Sequence, residues 1–169
     1  MTLLDSLKAD LLRALELLGI IQNQRMEKRD KIYDTAVSFI GRDATPKSNV
    51  PNEVACAEVM STILQKALPE LRFPMLVSTR DMYNYLVKSP SFEEVSYQDY
   101  GDIIISPTGL VALKNGHVGT LGKNDAPNGS RWIISNNSLS GTVEVNFTLD
   151  GWHRYYGRNN GTIAYFRVS

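Results

Sequence analysis

The chain carries one cysteine and two histidines, so nucleophilic and acid–base chemistry can be built from it in only a few ways. Cys56 sits in the run Val54-Ala55-Cys56-Ala57, which reads as the start of a buried helix. Unpaired N–H groups and the helix dipole favour a thiolate there, and such a setting can bring a thiol from about 8.5 to between roughly 3.5 and 7.5. His117 opens the apolar run His117-Val118-Gly119-Thr120-Leu121, directly after the turn Lys114-Asn115-Gly116. An imidazole at a strand edge beside small residues can face a cleft and act as a base. The next extended segment ends in the polar cluster Ser135-Asn136-Asn137-Ser138, and an asparagine there can hold the ring in one tautomer by a hydrogen bond. Strand alternation puts Ile134 and Asn136 on one face and Ser135 and Asn137 on the other, so only one asparagine faces His117. Asn136 is the first choice and Asn137 the second. Each residue also has a plain structural reading: Cys56 as a core residue, His117 as a solvated strand end, the asparagines as turn formers. His153, between Trp152 and Arg154, lacks strand context and reads as a surface helix residue.

These side chains need elements to carry them. Leu4, Leu7, Leu11, Ala14, Leu18 and Ile21 keep a heptad spacing, which predicts a helix of about five turns. The polar run from Gln22 to Lys31 predicts a hinge or a solvated continuation, and a second helix is expected from about Asp30 to Ile40, stopped by Gly41. Residues 42–52 are dense in Pro, Ser, Asn and Asp and read as a loop. Val54, Ala57, Val59, Met60, Ile63, Leu64 and Ala67 predict a third helix, which Pro69 ends. A fourth is expected to about Lys88 behind an N-cap at Ser78 or Thr79. After Pro90 the period becomes extended. Strands are expected over 102–106, 117–121, 131–136, 143–146 and 162–167, with a short helix over 149–156. Helices first and an antiparallel sheet second predict an α+β domain.

Composition narrows the remaining choices. With 18 basic and 18 acidic residues, no net field draws the chain to phosphate backbones, and nucleic acid is not expected as a partner. One cysteine rules out an intrachain disulfide and a multi-cysteine zinc site, and two histidines leave little for a metal cage; no cofactor and no metal is expected. Asp5, Lys8, Asp10, Arg13 and Glu16 interrupt the N-terminal leucines, so neither a transmembrane segment nor a signal peptide is expected. Cytoplasm is the default location. Asn-x-Ser/Thr triplets at Asn128, Asn136, Asn146 and Asn160 are read as turn and strand-end residues, without glycosylation.

Cysteine on a helix, histidine on a strand and a polar residue on the next strand follow one another in a telling order. With Cys-Ala-Glu at 56–58, Tyr-Gly-Asp-Ile-Ile-Ile-Ser at 100–106, Asn-Gly-His-Val-Gly at 115–119 and Ile-Ser-Asn-Asn-Ser at 134–138, the chain resembles the NlpC/P60 and CHAP branch of the papain-like cysteine peptidases. Trp152, Tyr155, Tyr156 and Gly157 resemble a phage and bacterial subgroup of such hydrolases, which implies the virion or the host cell wall as the location if a phage encodes the chain. The resemblance spans roughly residues 32–168; residues 72–77 depart from it. It implies a papain-like domain over 29–169 behind a helical extension over 1–28, and a peptidoglycan peptidase or amidase with Cys56 as nucleophile, His117 as base and Asn136 as orienting residue. An oxyanion hole would use the Cys56 N–H, with Asn52 and Asn49 as candidates for the second donor. A papain-like acyl transferase or deamidase, and a virion or envelope binding module that has lost activity, are the alternatives. Tyr97, Tyr100, Trp132, Trp152, Tyr155 and Tyr156 could line a groove or pack in the core. The leucine face from Leu3 to Ile21 is expected either to dock another copy or a partner protein, or to pack on its own domain.

Overall fold

A computed structural model describes residues 3–46, 48–111, 113–127 and 129–169; Asn128 of the triplets lies outside them. Helix α1 (Leu3–Ser38) leads through a loop and a 3₁₀ turn (Asn52–Val54) into α2 (Cys56–Ala67). Then come α3 (Thr79–Lys88), β1 (Phe92–Glu94), β2 (Ile103–Ser106), β3 (His117–Asp125), β4 (Arg131–Asn136), β5 (Val143–Thr148), α4 (Leu149–Tyr156) and β6 (Ala164–Val168). The strands form one antiparallel sheet in the order β1-β6-β2-β3-β4-β5. This is the α+β arrangement expected, with helices preceding the sheet.

Strand alternation sorts the apolar residues between two cores. Ile103, Ile105, Val118 and Ile134 face the helical layer, where Ile32, Ala36, Val59, Met60, Ile63, Leu64, Met82 and Leu86 bury against them. Ile104, Leu121 and Ile133 face the other way and are covered by Trp152 and Tyr156 of α4 with Tyr165. Ser78 caps α3 by accepting from the N–H groups of Arg80 and Asp81, and Thr148 caps α4 by accepting from Gly151. Both helices thus start where a side chain replaces missing backbone partners.

One expectation is corrected. No second helix begins at Asp30: α1 is continuous over 36 residues, about 54 Å at 1.5 Å per residue, and passes unbroken through residue 28. The polar run is held by tertiary partners. Arg25 donates to Glu93 at 3.2 Å, Lys28 to the Ser169 carbonyl and Arg29 to Asp99 at 2.7 Å. Gly41 does follow the helix with φ +78°, and its N–H bonds the Val143 carbonyl at 2.9 Å, tying the loop to the sheet edge. Among the described residues no helix is long and apolar enough to cross a membrane.

Candidate active site

Cys56 is the first residue of α2, entered from the 3₁₀ turn through Ala55. It is 5% exposed, and its sulfur lies against the backbone N–H groups of Val118, Ala57 and Cys56 itself. Val118 is the neighbour of His117, so thiol and imidazole lie at the same end of β3, the thiol on the helical side with Val118 and the ring on the α4 side with Trp152 and Tyr156. Pocket space of about 150 Å³ reaches the thiol between Val54, Val77, Thr79, Thr108 and the Asn115-Gly116 turn. The turn is held by Thr108, whose hydroxyl accepts the Gly116 N–H at 2.9 Å. A Cβ at Gly116 would strike the Ser106 carbonyl and the Thr108 nitrogen, so only glycine lets the chain approach β2 this closely before His117.

His117 pairs with Ser106 across the β2–β3 ladder and is 8% exposed. Its ring stacks on Trp152 at 5.2 Å and on Tyr156 at 5.9 Å between centroids. A cleft of about 530 Å³ opens over it, bounded by Lys114, Asn115, Asn136, Asn146, Tyr155 and Tyr156. Asn115 and Gly116 border both spaces and form the sill between thiol and imidazole.

Both groups are neutral near pH 7. Burial pushes the Cys56 thiol up to about 11, and the three nearby N–H groups only offset part of it. Burial likewise takes His117 down to about 4. The thiol depression expected from the helix terminus is therefore corrected: the position at the start of α2 is as read, but β3 closes over the sulfur and removes its water, and desolvation outweighs the dipole. Tyr156 is held well above its ordinary value, first by burial and then by the charge a Cys56 thiolate would carry.

The ring does not bond Asn136. His117 Nε2 meets Ser135 Oγ at 3.0 Å, and Ser135 in turn donates to Asn146 Oδ1 at 2.6 Å. Asn146 Nδ2 donates to the Asn136 carbonyl at 3.3 Å. Asn136, 3% exposed, points to the helical side and donates its Nδ2 to the Asn52 carbonyl at 2.9 Å. Asn137 is taken up in the β4–β5 turn, where it donates to Glu144 at 2.7 Å and accepts from Leu139 at 2.9 Å. Ser135 and Asn146 are the residues that sequence reasoning missed. Gly119 faces Ser135 in the β3–β4 register, and two residues after His117 it leaves the space through which the ring reaches that hydroxyl. The pair was half visible, because alternation separates Ser135 from Asn136; Asn146, on β5, stood out only as an Asn-x-Thr triplet.

Other candidates are placed as follows. Asn52's side-chain amide packs against Gly141, where a Cβ would collide with it. Tyr155 and Tyr156 border the cleft; Trp152 is fully buried, and Tyr100 packs edge-on to Tyr33. His153 Nε2 is 2.6 Å from the Tyr165 hydroxyl. No group of three His, Cys, Asp or Glu side chains stands close enough to hold a metal ion among the described residues. No protein-family model, no curated protein and no solved structure matches the chain.

Proposed function

We propose that the chain is a papain-like cysteine hydrolase of amide bonds, with the peptides and amides of peptidoglycan as its substrate class. The observation that carries this reading is the single thiol at the N-terminus of α2 lying one residue from the single cleft-facing imidazole. His117 takes the thiol proton as the sulfur adds to the amide carbonyl, and the N–H groups at the start of α2 receive the developing oxyanion. The carbon–nitrogen bond then breaks, His117 returns its proton to the leaving amine, and a thioester remains. Water, deprotonated by His117, cleaves the thioester and restores the thiol. Burial holds both thiol and imidazole neutral, so the proton passes from sulfur to ring as the sulfur adds to the carbonyl. The motifs at 56–58, 100–106 and 115–119 support the same reading. Purified peptidoglycan digested with wild type and with Cys56→Ala, followed by mass analysis, tests it: wild type alone should release fragments bearing new amine and carboxyl ends.

A second reading is favoured by one observation. Cys56 and His117 share no hydrogen bond, and burial holds each neutral, as suits a binding module of the same fold. Sedimentation of wild type with intact peptidoglycan, without fragment release, would select it.

The partner reading extends to α1. Leu7, Leu11, Leu12, Leu15, Leu17, Leu18, Ile20 and Ile21 are all exposed, between 45% and 67%; the side chains of Leu3, Leu4 and Lys8 lie outside those described. A second copy of the chain is the proposed occupant, since the exposed Leu7, Leu11, Leu18 and Ile21 keep the heptad spacing by which two helices pack along a shared seam. Equilibrium sedimentation tests this: wild type should associate and Leu11→Asp/Leu18→Asp should not, whereas a monomeric wild type overturns the proposal.

A further inference from the structure

The polar groups around the two reacting residues form one chain rather than a set of separate bonds. Ser135 has a single hydroxyl proton and gives it to Asn146 Oδ1 at 2.6 Å, so toward His117 Nε2, at 3.0 Å, it presents a lone pair. The ring must therefore carry its proton on Nε2, and Nδ1 is the nitrogen left with a lone pair. Asn146 is fixed in turn, because its Nδ2 donates to the Asn136 carbonyl at 3.3 Å. That bond sets which end of the amide is oxygen and hence which way the Ser135 hydroxyl turns. From Asn136 the chain crosses the sheet: its side chain donates to the Asn52 carbonyl at 2.9 Å. The same carbonyl accepts the Ala55 N–H at 3.4 Å, one residue ahead of the nucleophile. Gly141, at φ +70°, lies on the Asn52 side chain and closes the turn over it. Ser135 and Asn136 are almost fully buried, at 2% and 3% exposure, while Asn146 is half-buried at the cleft wall.

We propose that this chain divides the positioning of the site between neighbouring residues of β4: Ser135 with Asn146 sets the tautomer and orientation of the base, while Asn136 holds the turn that aims the nucleophile. The inference rests on the reading of Cys56 and His117 as the reacting pair, and gives Asn136 a role different from the one the family resemblance implies. All three are positioning residues, acting through His117 or through the 52–55 turn.

The test uses the full chain with ¹⁵N-labelled histidine, His153 being assigned from a His153→Asn variant. At neutral pH His117 should show a protonated Nε2 and an unprotonated Nδ1. Asn146→Ala frees the Ser135 hydroxyl to turn, and should raise the minor tautomer by about two- to tenfold, the equivalent of one hydrogen bond; Asn146→Asp, which keeps the acceptor, should restore the wild-type pattern. Asn136→Asp, of nearly the same shape but without the donor, should leave the ring spectrum unchanged and alter the iodoacetamide rate at Cys56 by a similar factor. A His117 protonated on Nδ1 in wild type overturns the relay. Equal movement of the ring spectrum in the Asn136 and Asn146 variants overturns the division of roles. A correct tautomer together with no digestion of peptidoglycan leaves the relay standing and removes the hydrolase reading.

Discussion

The two ends of β2 solve the problem of buried polarity in opposite ways. Ahead of its first residue stands Asp102, fully buried and gripped by Arg167 through Nε at 3.0 Å and Nη2 at 2.7 Å. Its second oxygen also accepts the Asp99 N–H at 2.7 Å. Asp99 reaches Arg29 at 2.7 Å and Arg131 at 3.0 Å. Burial opposes ionisation of Asp99, yet Arg29, the Tyr100 N–H and Arg131 together hold its carboxyl below the usual range. At the last residue, Ser106 accepts the Trp152 indole N–H at 2.9 Å, and across the ladder begins the uncharged chain from His117. The charged end binds α1, β2, β4 and β6 together. Its geometry needs Gly101, which lies against the Arg29 backbone with φ +76° and has no room for a Cβ. Full charges with fixed partners resist any change of protonation. A neutral chain orients its members by hydrogen bonds without setting a charge beside the ring. The first end therefore suits holding the fold and the second suits chemistry, although Asp102 and Ser106 are both fully buried.

That contrast can be broken experimentally, most forcefully at the neutral end. Cys56→Ala and His117→Ala should each lower amide cleavage by about 10⁴-fold or more, while Cys56→Ala costs only about 1 kcal/mol of stability; kinetics beside urea melts decide, and activity near wild type would end the assignment. Asp102→Ala should do the reverse. Leaving Arg167 without its carboxylate is expected to cost about 3–5 kcal/mol, read as a fall in denaturation midpoint, and a loss below about 1 kcal/mol would erase the distinction between the ends.

The pH profile sharpens the comparison. His117 is pulled from an ordinary 6.5 to about 4, so the unfolded chain binds the extra proton between those values. Its contribution of about 3 kcal/mol is present above pH 6.5 and lost as pH falls through 4. Cys56 is raised from 9.0 to about 11, so here the folded chain holds the proton more tightly. Its contribution, about 3 kcal/mol, is present below pH 9 and lost as pH rises through 11. Stability measured by urea melts should be highest between these limits. His117→Phe should flatten the His part of the acid limb and leave the part due to Asp99; an unchanged profile would contradict the burial of the ring. The smallest effect is expected from Trp152→Phe, which removes the bond to Ser106 and should cost about 1–2 kcal/mol.

What could be read in advance follows from how local each interaction is. The residues 131–136 and 149–156 carry strong periodicity and start or stop on clear turn signals, and the structure has them as β4 and α4. Ser78 was legible as a cap because a cap is a contact within three residues. The continuity of α1 was not, since Arg25, Lys28 and Arg29 look solvated until Glu93, Ser169 and Asp99 are brought to them. Nor was β1, a Phe-Glu-Glu strand that exists through pairing with β6. At the site, residue type and chain order put Cys56 and His117 forward, and the family resemblance raised them above their structural readings. The partner of the ring depended on the register of β4 against β3 and on a residue from β5, both set by tertiary pairing. The thiol's environment turned on which strand lies over it, and the local signal of the helix terminus gave the opposite direction.

Helix α1 has a further consequence for how the molecule can be observed. Residues 10–18 and 20–24 are exposed apart from Gly19, and packing begins only at Arg25. In a single copy, the amides ahead of Arg25 are protected solely by helix–coil equilibrium, which for an isolated stretch of this length is marginal. Those beyond Ile32 open only with the domain. Deuterium uptake should therefore step sharply near Arg25 at low protein concentration, and the step should fade as concentration rises if copies cover the leucine face. The same uptake, read residue by residue without a label, would report association if it occurs.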